Sequence, residues 1–252
     1  MTEGKPLSLI FTFALPLMIG NVFQQLYTVV DTMVVGKALG VNALAALGAA
    51  DWMNWMMLGI VQGLTQGFGI LMAQKFGAGM KEDLRKVIGN SAHLSLISSL
   101  ILLLVGQLLA RPVLGLLQTP AEIIDNALLY LRIMYLGIPV VMAYNLLACI
   151  LRSLGDSQTP LHAMIVAAIV NIVLDLLFVL GFGLGIGGAA AATLIAQLVS
   201  SFYCLHYIRR IDILTLTPAD FRLQKGLPVR LFVLGFPMAF QNAIISIGGM
   251  IV

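Results

Sequence analysis

Long apolar stretches without a single Asp, Glu, Lys or Arg dominate the chain: residues 6–30, 52–74, 87–110, 133–151, 157–174, 176–208 and 231–252. A helix needs about 20 apolar residues to cross the hydrocarbon of a bilayer, where the backbone must bond to itself. Each run predicts one span, except that 157–174 and 176–208, interrupted only by Asp175, hold two between them; the second run, at 33 residues, is too long for one span. Five glycines between Gly181 and Gly188 divide it, because each destabilises a helix interior by about 1 kcal/mol. The pattern predicts six complete helices over 10–34, 50–75, 88–109, 127–151, 161–181 and 188–208. A seventh opens near 231, and the chain stops at Val252 within it, reading as a helix cut midway. The fold class is an all-α polytopic membrane protein. A six-helix lobe occupies 1–208, a linker 209–230, and the truncated seventh helix 231–252.

Local signals support these boundaries. Thr119-Pro120-Ala121-Glu122 has the form of a capping box with Pro at the first helical position. Gly77 and Gly79 close the second span, and Thr159-Pro160 opens the fifth. The first span is about 25 residues long and carries Asn21, Gln24, Gln25 and Asp31. A signal-peptide core is about 7–15 apolar residues, so this reads as a retained helix.

Composition agrees. Hydrophobic residues make up 60% of the 252 and charged residues 10%, against about 25% charged in soluble domains. Too few polar side chains exist to cover a water-facing surface. Cys149 and Cys204 have no CxxC partner and read as small hydrophobes. No Lys/Arg patch with interleaved aromatics points to nucleic acid. Gly183-x-Gly185-x-x-Gly188 falls between two spans, with no room for a dinucleotide-binding unit. His93, His162 and His206 are scattered, and no nucleophile–base constellation appears, so the chain does not read as an enzyme. No cofactor is implied.

Charge placement gives orientation. Lys5, Lys75, Lys81, Arg85, Lys86, Arg152, Arg209, Arg210, Arg222, Lys225 and Arg230 fall on one side, against Lys37, Arg111 and Arg132 on the other. The Lys/Arg-rich side is cytoplasmic, which places the N-terminus inside a cell (cytoplasmic or inner) membrane. A weak repeat also shows: Phe11, Pro16 and Asn21 recur as Phe232, Pro237 and Asn242. Both segments start on the same side, as in a parallel repeat with six helices per unit.

Asp31 and Asp175 are the acids inside predicted spans. Such a group in hydrocarbon faces a cavity or a partner. With Thr193 they fall roughly 6–9 Å below the outer boundary at 1.5 Å per residue, and Asn171 sits one turn below Asp175. Two carboxylates, an amide and a hydroxyl at matched depth can hold a proton or a small cation such as Na⁺. A structural hydrogen-bond lock between helices is the alternative. Gly59, Gly63 and Gly67 form a close-packing stripe. Gln24, Gln25, Gln62, Gln66 and Asn145 line a cavity or join helices, and the residues alone do not decide which.

The segments Ala14-Leu-Pro16, Val30-Asp31-Thr32, Leu44-Ala-Ala-Leu-Gly48, Leu151-Arg-Ser-Leu-Gly-Asp156, Thr159-Pro160, Asn171-Ile-Val-Leu-Asp175 and Gly187-Gly188-Ala-Ala resemble the multidrug and toxic compound extrusion (MATE) transporters. The resemblance is to the DinF-like prokaryotic branch and covers the chain as the N-terminal half. It implies an antiporter with a second six-helix lobe as partner, seated in membrane lipid. Such a protein exports cationic or amphipathic small molecules against H⁺ or Na⁺. The family's cation network then corresponds to Asp31, Asn171, Asp175 and Thr193, the set that would hold Na⁺. A family tyrosine on the fourth span corresponds to Tyr135, which joins Gln24, Gln62, Gln66 and Asn145 as a coupling or cavity residue. A flippase of lipid-linked precursors or polysaccharide, from the wider superfamily, is the alternative. It would need cationic cavity residues, for which only Arg132 is a candidate. The topology is directly testable: a cysteine at Gln224 is expected to react with an impermeant thiol reagent only after cells are permeabilised, and labelling of intact cells would invert it.

Overall fold

A computed structural model describes residues 6–251, and within them eight α-helices account for nearly all of the chain. They are α1 (Pro6–Leu39), α2 (Val41–Gly77), α3 (Lys81–Leu116), α4 (Ala121–Leu136), α5 (Ile138–Ser153), α6 (Gln158–Asp175), α7 (Gly185–Ile208) and α8 (Leu227–Ile251). Lys5 and Val252 lie outside the described residues. Six of the helical segments are long and apolar enough to cross a membrane. A seventh span results when α4 and α5 are counted as one, bent by 48°. This is the number the apolar runs predict.

Several boundaries move. The helices extend past the hydrocarbon-length runs; α1 has 34 residues and α2 has 37. Asp31 therefore lies eight residues from the end of its helix, about two turns. The capping box at Thr119 does not form: Pro120 occupies the N-cap with no side-chain bond. Its carbonyl instead accepts from the Ile123 and Ile124 amides. The fourth span breaks at Gly137 because Pro139 removes an amide donor in the first turn of α5. The fifth continues beyond Asp175 as a π-helical turn, Leu176–Gly181. Only Phe182–Leu184 separates it from α7, with Gly183 at φ 64°.

Helix α2 organises the bundle, packing against α1, α3, α4, α5 and α8. Its Gly63 and Gly67 press against the backbone of Ala239 and Gly235 on α8. One turn away, Asn242 Nδ2 donates to the Gly59 carbonyl at 3.0 Å. Small residues let two backbones approach where no hydrophobic force draws helices together. Elsewhere the outer surface is apolar: Leu104 and Leu108 on α3 are 60% and 74% exposed. Such a surface suits lipid tails, not water.

The connection between α7 and α8 is no loose tether. It spans 209–226, shorter than the expected 209–230 because α8 begins at Leu227. It folds onto the end of α3, where Gly89 leaves room for the Asp220 carbonyl. Beside it, fully buried Asn90 donates to the Arg222 carbonyl at 3.3 Å and accepts from the Gln224 amide at 3.2 Å. The Thr217 amide and hydroxyl both donate to Asp220 Oδ2, at 2.8 and 2.7 Å, holding that carboxyl below the usual carboxylate range. A depressed value means this support is complete above the ordinary carboxylate range and fades as pH falls through it. At the neighbouring turn, Lys75 pairs with Asp83 at 2.7 Å.

Two glycines of α2 separate propensity from packing. Gly48 has open space around its missing side chain, and Gly67 has the α8 backbone. Gly48→Ala is expected to stabilise the purified protein by about 0.4–1 kcal/mol. Gly67→Ala should destabilise it by about 1–3 kcal/mol through overpacking. Thermal melts in detergent check both, and equal effects would refute the close α2–α8 contact.

Candidate functional site

Helical periodicity builds the site. On α1, Gln24, Tyr27, Thr28 and Asp31 fall at i, i+3, i+4 and i+7, one stripe of the helix. On α2, Asp51, Asn54, Leu58, Gln62, Thr65 and Gln66 form a second stripe, about 100° from part of the glycine face. Tyr130 and Met134 of α4, Tyr144 and Asn145 of α5, and Thr193 and Gln197 of α7 complete the wall. Together they enclose a cavity of about 650 Å³. Gln24, Gln62, Gln66 and Asn145 all line it. Gln25 is exposed on the far side of α1 and does not.

Asp31 is 9% exposed at the cavity wall, and Asp175 behind it is fully buried. Their carboxyl groups meet between α1 and α6, close enough to interact directly. Asn171 Nδ2 donates to Thr193 Oγ1 at 3.3 Å, joining α6 to α7. Asp31 Oδ1, both Asp175 oxygens and Asn171 Oδ1 are buried with no hydrogen-bond donor. Buried acceptors are normally satisfied, so four orphans together require an explanation. A proton shared between the acids, or a hard cation taking oxygen ligands, fits this donor set. Among the described residues, no group of three or more His, Cys, Asp or Glu could hold a metal ion. Any bound ion would depend on the amide and hydroxyl as well as the two acids.

Tyr135 is a correction. It is 1% exposed, packs against Gly106 of α3, and its hydroxyl is buried without a partner. Met134 takes the cavity side, and one residue further rotates the side chain about 100° away. The tyrosines that do reach the cavity are Tyr27, Tyr130 and Tyr144. Sequence reasoning also missed Asp51. It borders the charge-free run 52–74 and so reads as a span boundary. The signal was present in its spacing from Gln62 and Gln66, which continues one helical face.

A bundle of apolar helices around an acid-bearing cavity defines a multi-pass membrane protein. Residues 16–177 match the family model MatE, and the chain belongs to that family of multidrug and toxic compound extrusion proteins. Curated relatives include "Probable multidrug resistance protein YoeA" of Bacillus subtilis, 30% identical across 93% of this chain and 52% of its own. "Probable multidrug resistance protein YpnP" of the same organism is 31% identical across 99% and 56%. A MOP superfamily transporter from Pyrococcus furiosus superposes with a TM-score of 0.91 at 28% identity, covering 98% of this chain and 55% of that one. A MATE crystal structure in the straight conformation gives 0.88 at 28% identity, with 98% and 55% covered. The chain spans about half the length of the relatives it matches.

Placement off the cavity predicts the behaviour of Tyr135. Tyr135→Phe removes an unpartnered buried hydroxyl, whose desolvation penalty is about 1–3 kcal/mol. The melting temperature is expected to hold or rise, with substrate binding unchanged; a loss of binding would place Tyr135 back in the site.

Proposed function

We propose that this chain supplies one six-span lobe, and the opening of a second, to a secondary antiporter of the cell membrane. That antiporter exports cationic or amphipathic compounds in exchange for H⁺ or Na⁺. The observation that carries this reading is the meeting of Asp31 and Asp175 beside a cavity of drug-sized volume, with their oxygens unpartnered. Two adjacent carboxylates in a water-poor site cannot both stay charged without a counter-ion. Loading with H⁺ or Na⁺ neutralises the pair, and unloading restores negative charge at the cavity wall. A cationic compound is held better by the charged wall than by the neutral one, so the two ligands exclude each other. That exclusion is the thermodynamic requirement for exchange.

The remaining residues have matching roles. The Asn171–Thr193 bond keeps α6 and α7 in register beside the pair, and Asn171 Oδ1 is left to ligate the ion. Asp175 stands where α6 gives way to its π-helical turn, a form frequent at functional positions. Tyr27, Tyr130 and Tyr144 give the cavity aromatic faces with polar tips, suited to varied amphipathic guests. The Lys/Arg distribution supports a cytoplasmic N-terminus.

The test uses the full-length protein containing this chain, in proteoliposomes. Asp31→Asn is expected to abolish substrate-driven H⁺ and ²²Na⁺ flux while the melting temperature stays near wild type. Asp175→Asn should impair flux less where an amide can still ligate Na⁺. A well-folded Asp31→Asn protein with wild-type coupled flux would overturn the reading. Parallel loss of folding and flux in both variants would favour a structural lock.

A further inference from the structure

We propose that Asp51 on α2 is the anchor for the positively charged head of the transported compound, distinct from the Asp31–Asp175 pair. This deepens the antiporter reading and rests on it. Asp51 lines the same 650 Å³ cavity as Asp31. It is half-buried, and among the described residues its carboxylate takes part in no hydrogen bond or ion pair. A carboxylate with no protein donor at a cavity wall is answered by water or by a cation that enters the cavity, and an organic cation that displaces the water gains the attraction of its charge.

Among the described residues, none forms an ion pair or hydrogen bond with the Asp51 carboxylate. Arg152 is the one Lys or Arg among the residues lining the cavity. Its position along α2 follows from the neighbouring Cys149, whose Sγ donates to the Thr65 carbonyl at 3.0 Å and packs against Gly69. Arg152 lies a turn beyond Cys149 on α5. Fourteen or more residues of α2 therefore separate its level from Asp51, a distance on the order of 20 Å or more at 1.5 Å per residue. Arg152 cannot reach Asp51, and the cation must come from the ligand.

Neighbouring groups define the chemistry of that cation. Trp55 stands one turn along α2 on the same stripe, 45% exposed and lining the cavity. Tyr27 and Tyr130 face the same space. An aromatic face attracts a weakly hydrated organic cation, while a carboxylate supplies the net charge. The aromatic faces of Trp55, Tyr27 and Tyr130 beside one carboxylate favour a bulky organic cation over a small ion, which gains nothing from a ring that it cannot approach without shedding its water. The site therefore suits quaternary ammonium or phosphonium groups and protonated amines with aromatic substituents.

The geometry also links the two sites. Asp31 and Tyr130 both lie within the electrostatic reach of Asp51. A cation seated at Asp51 favours charge on Asp31 and so opposes its loading with H⁺ or Na⁺. By reciprocity, loading weakens the hold on the organic cation by the same factor. No shared ligand is needed.

The experiment measures binding in the purified full-length protein. Its probes are tetraphenylphosphonium, a permanent cation, and triphenylphosphine oxide, a neutral molecule of similar shape. Asp51→Asn is expected to weaken tetraphenylphosphonium binding about tenfold or more, with the neutral probe changed by less than about twofold. Asp51→Glu should retain most of the affinity, and the melting temperatures should agree. If Asp51→Asn does not fold, Asp51→Ser against Asp51→Glu carries the same comparison. Unchanged tetraphenylphosphonium affinity in a folded Asp51→Asn or Asp51→Ser protein overturns the proposal, as does equal loss for both probes. A wild-type protein that binds the cation through Asp51 yet shows no counter-ion flux would overturn the antiport reading and sustain the anchor.

Discussion

A carboxylate held in hydrocarbon must be answered by a proton, a cation or a donor, and this constraint orders the lobe around Asp31 and Asp175. Among the described residues, no donor answers Asp31 Oδ1 or either oxygen of Asp175. The bundle does not relieve the pair with Arg or Lys, although fourteen such residues occur in the chain. It surrounds the acids with an amide, a hydroxyl and tyrosines, groups that modulate charge without cancelling it. Had a guanidinium been placed against Asp31, the helices would be joined more firmly and the site would be permanently filled. Leaving the oxygens unpaired keeps the site open to exchangeable ligands, at the expense of local stability.

Helix α2 shows how one element serves two opposed demands. Its polar stripe from Asp51 to Gln66 must face a cavity, while its glycine stripe must meet another backbone without a gap. The stripes run side by side because residues three and four apart stack on a helix. A substitution on the glycine side therefore moves the polar side as well. Packing against α8 and shaping of the cavity are coupled through the rigidity of a single rod, with no need for a relay of side chains.

The seven spans were legible because hydrocarbon imposes a length and penalises every charge, and for the same reason Asp31 and Asp175, which the fold brings together, stand out against apolar runs. Where that contrast is weak, the sequence misleads. Asp51 sits next to an apolar run and resembles a boundary residue, although α2 begins ten residues earlier. Tyr135 resembles a cavity residue until the helical phase is fixed by Met134 and by the break at Gly137. The cap expected at Thr119 gives way because α4 begins one residue later, which puts Pro120 at the N-cap with no side-chain oxygen to accept an amide. Helix ends were misjudged for a related reason: apolar runs mark the hydrocarbon, whereas helices continue beyond it.

The seam between Asn90 and the 220–224 segment has a mechanical consequence. Since the Gln224 amide is fixed to α3, only Lys225 and Gly226 intervene before α8 starts at Leu227, about 10 Å of extended chain at most. The free length available to the seventh span is thus a few residues, not the whole connection. Displacement of α8 is limited to pivoting about this pinned point, and sliding along the bundle would first have to tear the seam. Gly226, at φ 85°, is the joint best able to supply that rotation. The strap thereby turns a flexible-looking basic segment into a short hinge with a fixed fulcrum on α3.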